Sequence, residues 1–267
     1  ELIDTIDDPT EYYLLSYYGR INYTFKDRYL LTFTLRNDNT SRFSKDNRAG
    51  WFPSVALAWK INEEKFMDNV SWLSQLKLRL SYGITGQQNI NQGDYPYLAR
   101  YTYNLNGAYY QLGNMYYRTL RPEGYDANIK WEETTTWNVG FDFGFLDDRI
   151  YGYLDLYLRE TRDLLNIVPV PAGTNLTNEI LTNIGNLENK GIELSLFTKP
   201  IAKTDMSWDL GVNFSYNKNE ITKLTASDDP NYLGYKVGGI AGGVGNTVQI
   251  HSVGKPAFSF FVYEQVY

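Results

Sequence analysis

Few residues in this chain are placed to do chemistry. There is one histidine, His251, and no cysteine. A thiol nucleophile, a disulfide framework and a cysteine zinc site are therefore excluded, as is a histidine-rich metal centre. His251 sits beside Ser252 in a Gly-rich stretch with no carboxylate spaced to orient it, and it reads as a surface histidine. Asp147-Asp148 offers two carboxylates to a divalent cation, but the pair interrupts two apolar runs and reads better as a tight turn. Glu132 and Glu133 are neighbours on an expected strand, so their side chains point to opposite faces and make poor acid/base partners. The run from Gly238 to Gly245 is Gly-rich, but no Lys and helix follow it, which argues against a phosphate cradle. Asn175-Leu176-Thr177 is a chance match to a glycosylation triplet. These readings predict no enzyme, no metal and no cofactor.

Two other residue sets carry more. Tyr109, Tyr110, Tyr116, Tyr117 and Tyr125 gather in one loop-rich region near Trp131. Their rings offer flat, half-polar faces that stack on sugars or pack on a partner. The same types also build membrane-interface girdles and loop packing, which is the plainer reading. The second set is Lys60, Lys77, Arg79, Asp142, Asp155 and Arg159. Each alternates with large apolar residues, so each points away from the apolar side.

The elements that must position these residues are strands. Trp137, Val139, Phe141, Phe143 and Phe145 alternate with Asn138, Gly140, Asp142 and Gly144. Leu76, Leu78, Leu80, Tyr82 and Ile84 alternate with Lys77, Arg79, Ser81 and Gly83. The same period of two recurs in 12–25, 28–40, 51–61, 149–164, 192–197 and 206–217, and 257–267 reads as one more strand. Only 63–73 suggests a helical turn. In 86–130, Asn106-Gly107 signals a type I′ hairpin between 98–105 and 108–118; the region is either one outer loop carrying that hairpin or two more strands, and its lack of a clean apolar face favours the loop. The stretch 222–256 reads as a Gly-rich loop.

Composition agrees. Aromatic residues reach 16%, with 24 Tyr and 13 Phe. Net charge is −6, which argues against a nucleic-acid partner. Mean hydropathy is −0.43 and no apolar run approaches a helical membrane span. Low hydropathy does not exclude a transmembrane barrel, since half of each strand faces a polar lumen. Connections alternate between tight (26–27, 147–148, 201–204) and long (37–50, 86–130, 163–190, 218–256), with 62–74 intermediate. An up-and-down sheet with every long loop at one rim predicts that parity. The runs also meet or exceed the roughly 9–11 residues that cross a bilayer. A soluble sandwich would have strands of about 5–6 residues and no segregation of long loops. The expected fold is all-β: an antiparallel up-and-down transmembrane β-barrel, of which the chain holds part. Glu1-Leu2-Ile3-Asp4 reads as the middle of a protein, and Val266-Tyr267 cuts an aromatic run.

Several stretches resemble the SusC/RagA-type TonB-dependent outer-membrane transporters. They are Ser16-Tyr17-Tyr18-Gly19-Arg20 running on to Lys26-Asp27-Arg28-Tyr29; Ser41-Arg42-Phe43, Asn47-Arg48 and Trp51-Phe52-Pro53-Ser54; Leu76-Lys77-Leu78-Arg79 with Ser81-Tyr82-Gly83; Lys130-Trp131-Glu132; and Asp155, Tyr157, Thr161, Asp163, then Asn189, Gly191 and Glu193. The resemblance covers nearly the whole chain. It implies a plugged barrel of about 22 strands, with about nine to eleven of them, roughly half, within residues 1–267 and the plug and last strands elsewhere. It implies a bacterial outer-membrane location, outer-membrane lipid around the wall, and the remaining segments of the same barrel as partners. It further implies a SusD-type surface lipoprotein, periplasmic TonB acting through the plug, and an oligosaccharide or peptide as cargo. The lysines, arginines and aspartates named above would then face the lumen, holding the plug or lining a path. The competing reading is a non-transporting adhesin or a small self-contained barrel.

Overall fold

Tight turns set the frame. Lys26 and Asp27 both take positive φ (52° and 53°), the type I′ geometry that matches the twist of the strands it joins. Leu146, Asp147 and Asp148 do the same (56°, 54° and 58°), a conformation Asp tolerates better than most residues. Asp148 is further held by Ser74, whose hydroxyl donates to its carboxylate at 2.7 Å. The adjacent aspartates are thus a turn.

The computed structural model describes residues 11–89, 93–103, 109–170, 173–224, 232–239 and 247–263. In chain order its strands are β1 (Leu14–Phe25), β2 (Tyr29–Thr40), β3 (Ala49–Lys60), β4 (Leu73–Gln87), β5 (Tyr101–Tyr103), β6 (Tyr109–Leu112), β7 (Met115–Arg118), β8 (Leu120–Pro122), β9 (Glu132–Phe145), β10 (Ile150–Arg162), β11 (Leu165–Pro169), β12 (Glu179–Asn183), β13 (Asn186–Ala202), β14 (Ser207–Lys223), β15 (Tyr235–Gly239), β16 (Thr247–His251) and β17 (Ser259–Phe260). Eight of them form one sheet in the order β1-β2-β3-β4-β9-β10-β13-β14. Every pairing within it is antiparallel. The helical turn expected at 63–73 is two short 3₁₀ turns, Ile61–Glu63 and Lys65–Met67.

Register separates the two faces across all eight strands. One row runs Tyr23, Leu31, Leu57, Leu80, Val139, Leu156, Ile192 and Tyr216. The next row, on the opposite face, runs Asn22, Thr32, Ala56, Ser81, Asn138, Tyr157, Gly191 and Asn217. No second layer covers the apolar face among the described residues. Ile21 and Val212 each remain 63% exposed, and Phe214 57%. A soluble protein does not leave so broad an apolar surface to water; in hydrocarbon it is the favoured state.

Aromatic residues bracket that apolar face. Phe25 and Tyr17, Trp59 and Trp51, Phe145 and Trp137, and Trp208 and Tyr216 each stand eight residues apart on their strands. Eight residues span about 26 Å of strand, or about 20 Å of height at a 40° tilt, close to the apolar band of about 25 Å in outer-membrane barrels. At the short-turn rim Tyr29 stacks on Trp59 at 6.3 Å and Trp72 on Phe145 at 5.6 Å. Glu64 ties this rim together. It accepts from Tyr29 Oη at 2.5 Å, Trp59 Nε1 at 3.1 Å and Arg28 at 3.0 Å. These bonds, led by the one from Tyr29, hold its pKa below the usual carboxylate range.

The opposite rim carries the long connections 41–48, 88–131 and 163–185, as parity requires. Three expectations change here. First, 108–118 is not one arm: it folds back on itself as β6 and β7 around Gly113, whose φ is +62°. Gly-Asn is itself a hairpin-turn dipeptide, and Asn106-Gly107 lies outside the described residues. Second, 222–256 contains strands: β15, β16 and β17 form a small sheet of their own. Third, the described part of 257–267 contributes only β17 to that small sheet, so the described residues place eight strands in the wall, against about nine to eleven expected.

Candidate functional site

The polar face carries one concentrated feature. Register places Ala58, Arg79, Gly140, Asp155 and Glu193 in a single row, with Lys60, Lys77 and Asp142 in the row beside it. Asp142 is 6% exposed. It accepts from Arg79 Nε at 2.7 Å and lies 3.1 Å from Lys77 Nζ. Arg79 uses its other end on Asp155, at 2.9 Å. Two cations and two carboxylates thus neutralise one another on a half-buried surface, where an unpaired charge would be costly.

Glycine makes this geometry possible. Arg79 and Asp155 lie on β4 and β10, with β9 between them, a gap of about 9.6 Å at the usual strand spacing. The guanidinium crosses β9 directly over Gly140. A Cβ there would sit 2.6 Å from Arg79 Cζ and 2.6 Å from the Asp155 carboxylate. The alternation of the sequence points to the charged residues but gives no reason for Gly140. That reason lies in its two neighbours, which are distant in the chain.

Of the six charged residues singled out from the sequence, Lys77, Arg79, Asp142 and Asp155 come together. Lys60 stands beside Lys77 at the short-turn end and takes no part in these bridges. Arg159 lies nearer the long-loop rim, its guanidinium 5.0 Å from the centre of the Tyr157 ring. Tyr157 in turn donates to Asn217 Oδ1 at 3.2 Å. All six lie on the face opposite Leu78, Phe141, Leu194 and Leu210.

The aromatic set divides. Tyr109, Tyr110, Tyr116 and Tyr117 stand on the β6–β7 hairpin, each about half to two-thirds exposed. Tyr110 and Tyr117 face each other across it beside Leu112 and Met115, while Tyr109 and Tyr116 lie on its other side. Tyr125 is half-buried and lines a cleft of about 770 Å³ with Tyr101, Asp126 and Asn175. Trp131 does not belong with them. It is 6% exposed and packs edge-on against Phe43 at 5.5 Å and Phe52 at 5.3 Å. Its indole N–H donates to the Arg48 carbonyl at 3.0 Å. A ring so enclosed offers no face to an incoming molecule. The sequence placed it by proximity to the tyrosines, whereas packing commits it to the loop core.

That core knots the long connections together. Phe43 and Ile129 are fully buried in it. Asn47 donates to the carbonyl of Asn128 at 2.9 Å. Asn183 accepts from Lys130 N at 2.7 Å and donates to the carbonyls of Lys130 at 2.9 Å and Asp163 at 2.8 Å. Phe52 lies against Gly50 and Gly86, where a Cβ would run into its ring. The described residues of 41–48, 88–131 and 163–185 are therefore one packed unit, and it presents the β6–β7 hairpin and the Tyr125 cleft at its surface.

The family described as TonB dependent receptor-like, beta-barrel, matches residues 4–252. The TonB-dependent receptor SusC of Bacteroides thetaiotaomicron is 54% identical over 254 residues, which is 95% of this chain and 25% of that protein. TonB-dependent receptor P39 of Formosa agariphila is 40% identical over 87% of this chain and 21% of its own length. Among solved structures, the RagAB peptide importer in its closed-closed state superposes with a TM-score of 0.77 at 31% identity, over 92% of this chain and 25% of that one. The chain thus spans about a quarter of the length of the relatives it matches. Its eight-stranded sheet is a stretch of outer-membrane barrel wall. The chain belongs to the β-barrel family of TonB-dependent receptors.

Proposed function

We propose that this chain is a wall-and-loop segment of an energised importer that carries oligosaccharides or peptides across the outer membrane. The observation that carries the proposal is the separation of faces: eight strands with apolar rows through Phe141 and Val139 on one side and a charge-paired polar surface on the other. A wall of that kind needs lipid outside and an occluded, watery interior. The names of the relatives, a receptor called SusC and a peptide importer called RagAB, support transport rather than catalysis.

In this reading Lys60, Lys77, Arg79, Asp142, Asp155 and Arg159 face the lumen. The four-membered network stiffens the wall there and gives a plug or a passing cargo a neutral, hydrogen-bonding surface. Tyr109, Tyr110, Tyr116 and Tyr117 meet cargo or a SusD-type surface lipoprotein, and Tyr125 lines a cargo-facing cleft. Periplasmic TonB supplies the pull through segments of the whole receptor, and residues 1–267 are one part of its barrel domain.

The test is uptake by cells carrying the full-length receptor. Labelled oligosaccharides and labelled peptides are offered to cells with the receptor, without it, and without TonB. The proposal requires that at least one cargo class depends on both. Uptake of every cargo unaffected by loss of the receptor would end it. Replacing Tyr109, Tyr110, Tyr116 and Tyr117 together by Ala then tests the hairpin. Undiminished uptake with undiminished co-purification of the lipoprotein would remove it from the contact surface.

A further inference from the structure

The sole histidine is built into a link between two outer arms. Asn166, on β11, donates through its amide to Tyr235 Oη on β15. Tyr235 Oη lies 2.8 Å from His251 Nδ1 on β16. The hydroxyl has one proton to give, and with Asn166 donating to it, that proton goes to Nδ1. The imidazole is edge-on to Tyr235 at 5.0 Å and to Phe258 at 4.5 Å. Phe258 is held at a φ of 58°. Nε2 is buried, and no polar atom of a described residue reaches it.

This pocket accepts neutral imidazole and resists the cation. An imidazolium has two N–H groups and needs two acceptors. The Nε2–H is already present in the neutral tautomer, so what protonation changes is Nδ1: it turns from acceptor to donor and meets a hydroxyl that already receives the Asn166 amide and directs its own proton there. Among the described residues the surroundings offer no compensating charge. Tyr232 and Tyr235 are the titratable groups on the facing strand and its lead-in. Lys236 pairs with Ile250 on the opposite face of this small sheet, its ammonium 5.4 Å from the Phe261 ring centre. Burial alone lowers the His251 pKa below its ordinary value.

We propose that Asn166, Tyr235 and His251 form a proton-sensitive latch that holds the β11–β12 arm against the β15–β17 sheet and releases it when His251 is protonated. The two sides are anchored separately. Gly254 N and Ala257 N donate to Ile221 and Asn219 at the end of β14, each at 2.8 Å. The β11–β12 arm is tied at its base to the loop core through Asn183. Release therefore parts two outer arms without unfolding the wall. It places an acid-responsive joint at the mouth of the barrel.

The test uses full-length receptor in lipid nanodiscs. Amide exchange of 165–169, 179–183, 235–239 and 247–251 is measured from about pH 7.5 to about pH 5, with correction for intrinsic exchange. Between the ordinary histidine value near 6.5 and the lower closed-state value, opening should grow by about tenfold per pH unit and then level off. His251→Gln keeps an acceptor for Tyr235 and cannot be charged, so its protection should stay flat with pH. Tyr235→Phe should exchange fast at every pH. Flat protection in the unaltered receptor overturns the latch, and so does a pH slope that persists in His251→Gln. Neither outcome depends on which cargo the receptor carries.

Discussion

Replacing Phe141 by Arg tests the assignment of faces where it is most demanding. Phe141 lies four residues from Phe145 and four from Trp137, the two aromatic limits of the outward face on β9. It therefore stands at the middle of the hydrocarbon. Its row partners are Leu78 and Leu154, neither able to pair with a guanidinium. An arginine at the midplane of a barrel's lipid face costs roughly 2–4 kcal/mol, and near the interface about 0–1. At about 1.36 kcal/mol per factor of ten, the midplane value is about a 30- to 900-fold loss in the folding equilibrium. Thr135→Arg, on the same strand and face beyond Trp137, should lose no more than about fivefold. The assay is urea unfolding of the full-length receptor in phospholipid bilayers, followed by tryptophan emission and gel mobility. If the two variants lose equal stability, or if Phe141→Arg is neutral, Phe141 does not contact hydrocarbon and the wall reading fails.

Further outcomes follow from the network and the rim. Asp142→Ala leaves Lys77 and Arg79 without their shared partner and should destabilise by about 1–3 kcal/mol, seen as a lower urea midpoint, with Asp142→Asn recovering part of the loss. Gly140→Val should cost a similar amount, about 1–3 kcal/mol, because its side chain displaces the guanidinium that crosses β9; combined with Arg79→Ala, which empties that space, the extra cost of valine should largely vanish. Glu64 has a depressed folded-state pKa, so its contribution is present above the ordinary carboxylate range and is lost as pH falls through the folded value. Glu64→Gln should therefore lower stability at neutral pH and flatten its decline in acid, and an unchanged acid profile would show that the rim bonds contribute nothing.

Much of the wall was legible in the chain because a period of two is a local property. The alternation in 76–85 and 137–146 needs no knowledge of neighbours to say which residues share a face. The alternation of short and long connections then says which rim each loop occupies. The charged residues were legible for the same reason: Lys77 or Asp142 among large apolar residues can only point to the other side. The outer region was not legible in this way. Its strands are two to five residues long, too short for periodicity to register, and 108–118 hid a turn at Gly113-Asn114 beside the stronger-looking Asn106-Gly107.

Sequence by itself settled that each long strand has an apolar and a polar side, and that these sides suit lipid and water. It could do so because strand geometry forces side chains to alternate wherever the strand lies. Only the tertiary structure decided what depends on cross-strand neighbours. Gly140 is the floor beneath Arg79, Trp131 is a core residue of the loops rather than a ring open to cargo, and His251 closes a link to Asn166, a residue 85 positions away. Such contacts arise from register and loop packing, which bring together groups that no local pattern connects.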